Sequence, residues 1–251
     1  MKIKTKLLDE IYELKKGLPV VGTFIFGCDP KIIEILAYSG LDFVIIDTEH
    51  TLLSTEKIDL LVATAKSCKI LSFVRIKSSE MSMIPKVLDA GADGIIVPHI
   101  EEPKQAEDLV KMCNYPPIGY RSMCSGVRAS KYGYGYDKSS PIIGCIIESR
   151  RGIDGITEIA QVEGISFILI GPRDLSLDLG FNGQYNNQVV QEEISRAFSL
   201  ISQSNIFPMM YTSNSEETLF WMQRGVKGIA YSIDLRVLGQ SYSNYLKLLN
   251  N

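Results

Sequence analysis

Residues 39–50 read "SGLDFVIIDTEH": a glycine, a short apolar run at 43–46, then Asp47, Glu49 and His50 in quick succession. Glycine is favoured just past a helix end because it takes the left-handed conformation without a Cβ penalty. The apolar run after it has the length and continuity of a strand buried on both faces. The same grammar recurs in "AGADGIIV" (90–97), "EGISFILI" (163–170) and "RGVKGIAY" (224–231). Adding the apolar segments "VVGTFI", "LSFVR", "IIGCII" and "IFPMM", the pattern predicts eight strands at 20–25, 43–47, 71–75, 94–97, 142–148, 167–171, 206–210 and 228–231. Short strands alternating with helical segments argue for an α/β protein, a single parallel (β/α)8 TIM barrel. A doubly wound sheet is the alternative, but no G-x-G-x-x-G follows a strand to support it.

Helix starts fit this grammar. In "DPKIIEILAYSG", Asp29 is placed to cap a helix with Pro30 at its first position. "SSEMSMIPKVLDAG" holds Pro85 inside a helical pattern, which predicts a kink or a late start. Asn214 and Glu217 have the spacing of a capping box. Near the beginning, Leu7, Leu8, Ile11 and Leu14 share one helical face, the mark of a packing helix. One segment breaks the pattern: 115–141, rich in Gly, Ser, Tyr and Pro, a long loop of the kind that is functional or mobile.

The 251 residues suffice for one such barrel, and no composition shift marks a second domain within 1–251. A net charge of -3 gives no case for nucleic acid or an acidic membrane surface. No apolar run approaches the roughly 18 residues that span a bilayer. Five scattered cysteines without a C-x-x-C pair read as reduced thiols of a cytoplasmic protein, not as a disulfide framework or a zinc knuckle.

In this fold the active site lies at the carboxyl ends of the strands. Reading off those ends gives Asp47, Glu49 and His50; then Arg75, His99 and Glu148; then Gly171, Arg173 and Asp174. Glu148 and Asp174 end neighbouring strands, and two carboxylates without thiols suit a hard divalent cation. Pairing of Glu148 with Arg150 or Arg151, and helix capping by Asp174, are the structural alternatives. His50 has the intrinsic acidity for proton transfer near neutral pH, with Asp47 placed to orient it. A surface histidine is the other reading, and for His99 a rim hydrogen bond is the better one. Arg75 suits a carboxylate or enolate oxygen, or else a salt bridge to Asp47 or Glu49. Lys77 is the only lysine just past a strand end, and with no desolvating context a surface role suits it better than a Schiff base.

Several stretches together resemble the HpcH/HpaI family of metal-dependent pyruvate aldolases: "DFVIIDTEH", "FVRI", "GADGIIVP", "PPIGYRS", "VRASKYG", "IIESRRGIDGITEIAQVEGISFILIGPRDLSLDLG" and the following "NGQ". They run in order from about residue 20 to 235. The resemblance implies reversible cleavage of a 4-hydroxy-2-oxo acid to pyruvate and an aldehyde through a metal-stabilised enolate. It implies His50 as catalytic base with Asp47 as partner, and Arg75 polarising the pyruvyl carbonyl. Glu148 and Asp174 become ligands of Mg²⁺ or Mn²⁺, with Co²⁺ or Zn²⁺ as alternatives. Main-chain amides around Gly171, Arg173 and Asp174 become a carboxylate cradle. A hexamer, or trimer of dimers, with an exchanged C-terminal helix is also implied; "SIDLRVLGQSYSNYLKLLN" supplies much apolar surface for one terminal helix.

Three positions depart from the family pattern. Ile146 stands where glutamine is usual, Arg173 where alanine is usual, and Ser122 where glycine is usual. Two other classes remain as alternatives: a citrate-lyase-like enzyme acting on acyl-CoA esters, which generally lacks the D-x-E-H element, and a non-catalytic metal-binding barrel.

Overall fold

All eight expected strands form, and each pairs in parallel with the next until β8 closes on β1. The structure is a computed structural model describing residues 7–135 and 140–249. The strands are β1 (Val20–Ile25), β2 (Phe43–Asp47), β3 (Leu71–Arg75), β4 (Gly94–Val97), β5 (Ile142–Ile147), β6 (Phe167–Ile170), β7 (Phe207–Thr212) and β8 (Gly228–Ile233). Among them lie α1 (Leu7–Leu14), α2 (Pro30–Tyr38), α3 (Thr55–Cys68), α4 (Ile84–Asp89), α5 (Pro103–Cys113), α6 (Arg150–Asp154), α7 (Ile156–Ile159), α8 (Pro172–Asp178), α9 (Gln188–Ile201), α10 (Ser215–Met222) and α11 (Asp234–Leu249). The fold is a (β/α)8 barrel. No helix among the described residues is long and apolar enough to cross a membrane.

The expected boundaries hold with small shifts. β5 and β6 stop one residue early, so Glu148 and Gly171 stand just beyond them. β7 begins at Phe207 and runs on to Thr212, because Tyr211 and Thr212 pair with Ala230 and Tyr231 on β8. An apolar pattern ends at Met210, but the ladder does not require apolar side chains. Asp29 caps α2 through the amide of Lys31, as its position predicts. Pro85 produces a late start: a 3-10 turn covers Ser78–Met83 and α4 begins at Ile84. The Asn214 cap forms, but the Glu217 carboxylate accepts from the amide of Ser213 instead of returning to Asn214, so the box is only half made. On α1, Leu8 is fully buried, with Leu7 and Ile11 packed beside it, whereas Leu14 is 81% exposed. The helix ends at Leu14, and the chain turns through Lys16 and Gly17, both at positive φ, so that side chain never reaches the barrel.

Two apolar clusters divide the core. One fills the space between strands and outer helices, with Val44, Ile46, Val74, Ile95, Ile147 and Ile168 facing outward into it. The other fills the barrel interior with the alternate residues, including Phe43, Ile45, Phe73, Ile96, Ile146, Phe167 and Leu169. Period-two alternation along a strand requires this division. At the lower end, Phe43 and Phe73 lie 5.4 Å apart, and Phe73 and Phe167 lie 5.5 Å apart, ring to ring. Glycines on neighbouring strands give them room. A Cβ on Gly22 would overlap Phe43, and one on Gly144 would overlap the Phe167 ring. Strand glycines ordinarily weaken a sheet; here they are the space into which Phe43 and Phe167 pack.

The long loop is partly ordered by ion pairs to the helices. Arg121 reaches Asp89 at 2.6 Å and Arg128 reaches Asp59 at 2.6 Å, with a 3-10 turn at Arg128–Gly133. Residues 136–139 of that loop lie outside the described residues.

The interior packing makes a direct test. Gly144→Ala places a methyl where the Phe167 ring already lies, and overpacking of this kind costs about 1–3 kcal/mol. Urea unfolding should show a lower midpoint at unchanged slope. An unchanged midpoint would mean that the ring has somewhere else to go.

Candidate active site

The interior rows of side chains turn polar at the carboxyl end of the barrel. Phe43, Ile45 and Asp47 share one face of β2; Phe73 and Arg75 share one face of β3; Ile146 and Glu148 continue the same row on β5. The apolar members form the floor of a cavity and the polar members its wall. The cavity measures about 160 Å³. Lining it are Phe24, Phe26, His50, Arg75, Ile146, Glu148, Leu169, Gly171, Pro172, Arg173, Asp174, Tyr211, Ile233 and Arg236. Its size is below the roughly 300–1,000 Å³ of pockets for drug-sized ligands, so it fits a small acid better than a bulky coenzyme.

Asp47 and Arg75 are register partners on β2 and β3. That pairing brings Arg75 Nε within 2.5 Å of Asp47 Oδ1, while Nη1 lies 3.1 Å from Glu49 Oε2. The guanidinium also stacks over Phe24 at 4.7 Å. Arg75 is thus salt-bridged, as one of its two sequence readings has it, and it also lines the cavity. Asp47 is fully buried, and its second oxygen accepts from the main-chain amide of His50 at 3.0 Å. It positions the loop that carries His50; the hydrogen bond goes to the backbone of that residue and not to its ring. The imidazole instead has Glu49 as neighbour, with Nε2 at 3.6 Å from Oε2.

His99 was the weaker histidine in the sequence, and the structure brings it to the site. Its Nδ1 lies 3.1 Å from Glu148 Oε1, its amide donates to the same oxygen at 2.9 Å, and its Nε2 lies 3.5 Å from Glu49 Oε1. The backbone there is at φ +57°, a left-handed conformation that histidine tolerates better than most residues. Glu49 thus stands between both histidines and Arg75. Arg150 and Arg151 turn away from Glu148, toward Glu193 and toward Glu101 and Glu102. Lys77 is exposed, and no lysine lines the cavity among the described residues.

Burial pushes the Glu148 carboxyl up to about 8, with the Asp174 charge adding to the effect; the His99 amide and Arg75 oppose it. A folded acid raised above its ordinary value of 4.5 holds a proton that the unfolded chain releases. Stability is therefore lost as pH rises from 4.5 to about 8. A divalent cation against Glu148 and Asp174 would remove that cost. The donor set fits such an ion: two carboxylate side chains and no thiol, the chemistry of a hard cation. Among the described residues no three His, Cys, Asp or Glu side chains converge as a closed metal cage, so further positions fall to water or substrate oxygens.

Gly171 serves differently from the expected cradle. Its amide donates to the carbonyl of Ile147 at 3.0 Å and is not available to a ligand. Its contribution is space: a Cβ there would sit 2.7 Å from Glu148 Oε2. The amides of Arg173 and Asp174 belong to the first turn of α8, where no helix supplies an internal acceptor. Of the other departures, Ile146 lies on the cavity floor, and Ser122 is exposed and outside the cavity lining.

Sequence reasoning named Glu49 only as a strand-end acid and possible partner of Arg75, and did not single out Phe24, Tyr211 or Arg236. Strand parity would have found two of these, since Tyr211 follows Phe207 and Met209 on one face and Phe24 precedes the end of β1. Arg236 has no such signal. It lines the cavity because Asp234 accepts from the amides of Phe26 and Gly27 at 3.0 Å each, pinning the start of α11 against the end of β1.

The chain is similar to known proteins over most of its length. The chain is 31% identical over 228 residues to a hydroxypyruvate/pyruvate aldolase of Roseobacter denitrificans, covering 86% of this chain and 89% of that one. It is 27% identical over 234 residues to a 4-hydroxy-2-oxo-heptane-1,7-dioate aldolase of Escherichia coli, covering 91% and 89%. Among solved structures, the citrate synthase SbnG superposes with a TM-score of 0.82 at 30% identity, covering 95% of this chain and 96% of that one. The HpcH/HpaI aldolase/citrate lyase profile matches residues 21–240, from β1 into α11, and the chain belongs to that family.

Proposed function

We infer that this protein is a divalent-cation-dependent carbon–carbon lyase that reversibly cleaves a 4-hydroxy-2-oxo acid to pyruvate and an aldehyde. The observation that carries the reading is one cavity in which two carboxylates, buried Glu148 and exposed Asp174, share the lining with a salt-bridged arginine and, among the described residues, no lysine. The aldolases of similar sequence support it.

When bound at Glu148 and Asp174, a Mg²⁺- or Mn²⁺-type cation supplies Lewis acidity toward the 2-oxo acid. The first-turn amides of Arg173 and Asp174 receive the substrate carboxylate. Arg75, fixed by Asp47 and Glu49, offers its fork to the keto oxygen, where negative charge builds as the C3–C4 bond breaks. His50 accepts the proton of the C4 hydroxyl, whose O–H electrons become the aldehyde C=O. Glu49, 3.6 Å from the ring, stabilises the imidazolium so formed. Proton return to C3 completes pyruvate. Ile146 and Leu169 keep the floor dry, which strengthens each electrostatic contact above it.

The likeness to citrate synthase SbnG favours a second reading, chemistry on an acyl-CoA ester. Deuterium exchange into the methyl group of pyruvate separates the two, since an acyl-CoA enzyme has no reason to enolise pyruvate. The cytoplasm is the compartment we assign, supported by five unpaired cysteines.

We also propose that α11 is exchanged or packed between copies. None of its residues is buried, and Leu235, Leu238, Tyr242, Tyr245, Leu246 and Leu249 are each more than half exposed. So much apolar surface on one terminal helix calls for a partner. Sedimentation at micromolar concentration should show an oligomer; a monomer there would dispose of the idea.

Chelation should abolish activity, and Mg²⁺ or Mn²⁺ should restore it while raising the melting temperature. Trapping of a pyruvate adduct by borohydride would instead point to a lysine enzyme. Arg75→Lys keeps the charge but loses the fork. It should lower kcat by roughly 10²-fold, the scale of one lost oxyanion donor. KM for the 2-oxo acid should move much less. Near-normal kcat in a folded, metal-loaded variant would remove Arg75 from the chemistry.

A further inference from the structure

His99 has no part in the chemistry above. Among the described residues it nevertheless supplies every hydrogen bond and ion-pair contact of the Glu148 carboxylate. Its amide donates to Glu148 Oε1 at 2.9 Å, and Nδ1 of its ring lies 3.1 Å from the same oxygen. Oε2 has no such partner among the described residues and lies on the side where Gly171 leaves room for it. One oxygen is therefore held by the protein, and the other is open to a cation. The far side of the ring meets a second acid, with Nε2 3.5 Å from Glu49 Oε1. Glu49 in turn reaches Arg75 Nη1 through its other oxygen at 3.1 Å. A row of contacts thus crosses the mouth of the barrel through Arg75, Glu49, His99 and Glu148.

The ring is presented there at a cost in backbone strain. His99 sits at φ +57°, a conformation that a residue with a side chain keeps only where its surroundings impose it. Hydrogen bonds on both flanks impose it here. Ser78 Oγ donates to the carbonyl of Pro98 at 2.8 Å, and the amide of Ile100 donates to the carbonyl of Ile146 at 3.2 Å. The first ties the turn to the segment after β3, and the second ties it to β5, the strand that leads into Glu148. With both flanks fixed, the amide and the ring of the residue between them meet at Oε1. The side chain is 56% exposed, so filling the core is not its purpose.

A physical need at Glu148 matches this arrangement. Glu148 and Asp174 line one cavity, and two carboxylates there repel each other until a cation neutralises them. A glutamate has several side-chain torsions, so a repelled one turns away. Binding an ion would then require freezing one rotamer out of several. A neighbour that holds the carboxylate beforehand removes that cost, as the outer partners of metal-binding side chains do. His99 lies outside the residues that line the cavity, so it can act only through Glu148.

We propose that His99 is a positioning residue for the cation: its imidazole, backed by Glu49, holds Glu148 in the orientation that binds Mg²⁺ or Mn²⁺. This rests on the reading of Glu148 and Asp174 as the residues that hold the ion. The effect of His99 belongs to metal affinity first and to turnover second.

The test titrates the full-length, metal-free protein with Mn²⁺ in the absence of substrate, following the free ion by electron paramagnetic resonance. Two variants separate the ring from the turn. His99→Gly removes the imidazole, keeps the amide that donates to Glu148 and relieves the positive φ. His99→Asn also tolerates that φ and brings a side-chain amide close to the place of Nδ1, too short to reach Glu49. His99→Gly should weaken Mn²⁺ binding by roughly 10-fold or more, the usual scale for losing such a partner. His99→Asn should recover part of that loss. At saturating Mn²⁺, kcat should fall by less than the affinity does, and metal-free melting temperatures should stay close to wild type.

An unchanged dissociation constant in His99→Gly would overturn the proposal. So would a His99→Asn protein that recovers nothing, since the loss would then not come from the contact with Glu148. A lowered metal-free melting temperature beside an unchanged dissociation constant would leave His99 a structural role only. Glu148→Gln is the control for the ion itself and should abolish binding. Wild type that takes up no Mn²⁺, or Glu148→Gln that takes it up normally, would bring down the cation reading and this proposal together. Binding lost in Glu148→Gln but untouched in His99→Gly would bring down this proposal alone.

Discussion

Asp47 is a carboxylate with no access to water, and such a group is tolerated only when charge and hydrogen bonds around it are complete. Its completion organises the mouth of the barrel. One oxygen takes Nε of Arg75, its register partner across the β2–β3 ladder, and the amide of Glu49 at 3.2 Å. The other takes the amide of His50, and the carbonyl takes the Thr51 hydroxyl. The Thr48 hydroxyl then ties the same turn to the Arg75 carbonyl at 2.6 Å. A single buried charge therefore fixes an arginine, a turn and the histidine at its end. Removing it would leave Arg75 with only Glu49 and would free the loop, so positional effects on both groups are expected from one deletion.

Close packing below the cavity depends on what is missing from the sequence as much as on what is present. Gly22 and Gly144 sit opposite phenylalanines in the registers Gly22↔Phe43 and Gly144↔Phe167. Gly171 plays the corresponding part above, where its lack of a Cβ lets the end of β6 lie against the Glu148 carboxylate. The same device thus serves an aromatic layer at one end and an ionisable group at the other. In both cases the bulk on one strand is matched by its absence on the next, as interiors of crystal-like density require.

The strands were legible because a barrel strand is covered on both faces and so reads as an unbroken apolar run, of which "DFVIIDTEH" is the plainest. Their polar ends, Asp47, Arg75 and Glu148, were legible for the same reason: a charge closing such a run has to sit at the rim. What escaped was anything set by packing between distant segments. Tyr211 extends β7 past its apolar stretch through pairing with β8, which local pattern does not reveal. Leu14 keeps helical spacing but falls at the helix end, so periodicity overstated its burial. His99 looked like a rim histidine; only the β4–β5 register, Val97↔Cys145, brings it beside Glu148. The Asp47 link to His50 was expected at the ring and lies at the backbone, because a turn of three residues returns the amide, not the side chain, to the carboxylate.

Arg236 shows most clearly why a site of this kind is assembled and not simply encoded. Nothing in "SIDLRVLGQ" distinguishes that arginine from a solvated helix residue. Its place follows from Asp234, two positions earlier, which closes onto the amides of Phe26 and Gly27 and stops α11 from swinging outward. That contact in turn requires glycine at 27, where a Cβ would lie 2.9 Å from Asp234 Oδ2. Ser232, at φ +56° within β8, lies where the register against β1 shifts between Gly22↔Ala230 and Phe24↔Ile233. A strained backbone, a missing side chain and a capping carboxylate, on segments some two hundred positions apart in the chain, are needed before one guanidinium reaches the cavity. The chemistry on the β2–β5 side needs far less, because there Asp47 and Arg75 stand on the strands and Glu49, His50, His99 and Glu148 follow a strand end within three residues. Strand ends hold the reacting groups rigidly, while helix first turns and loops hold those whose identity is free to vary with the molecule to be recognised.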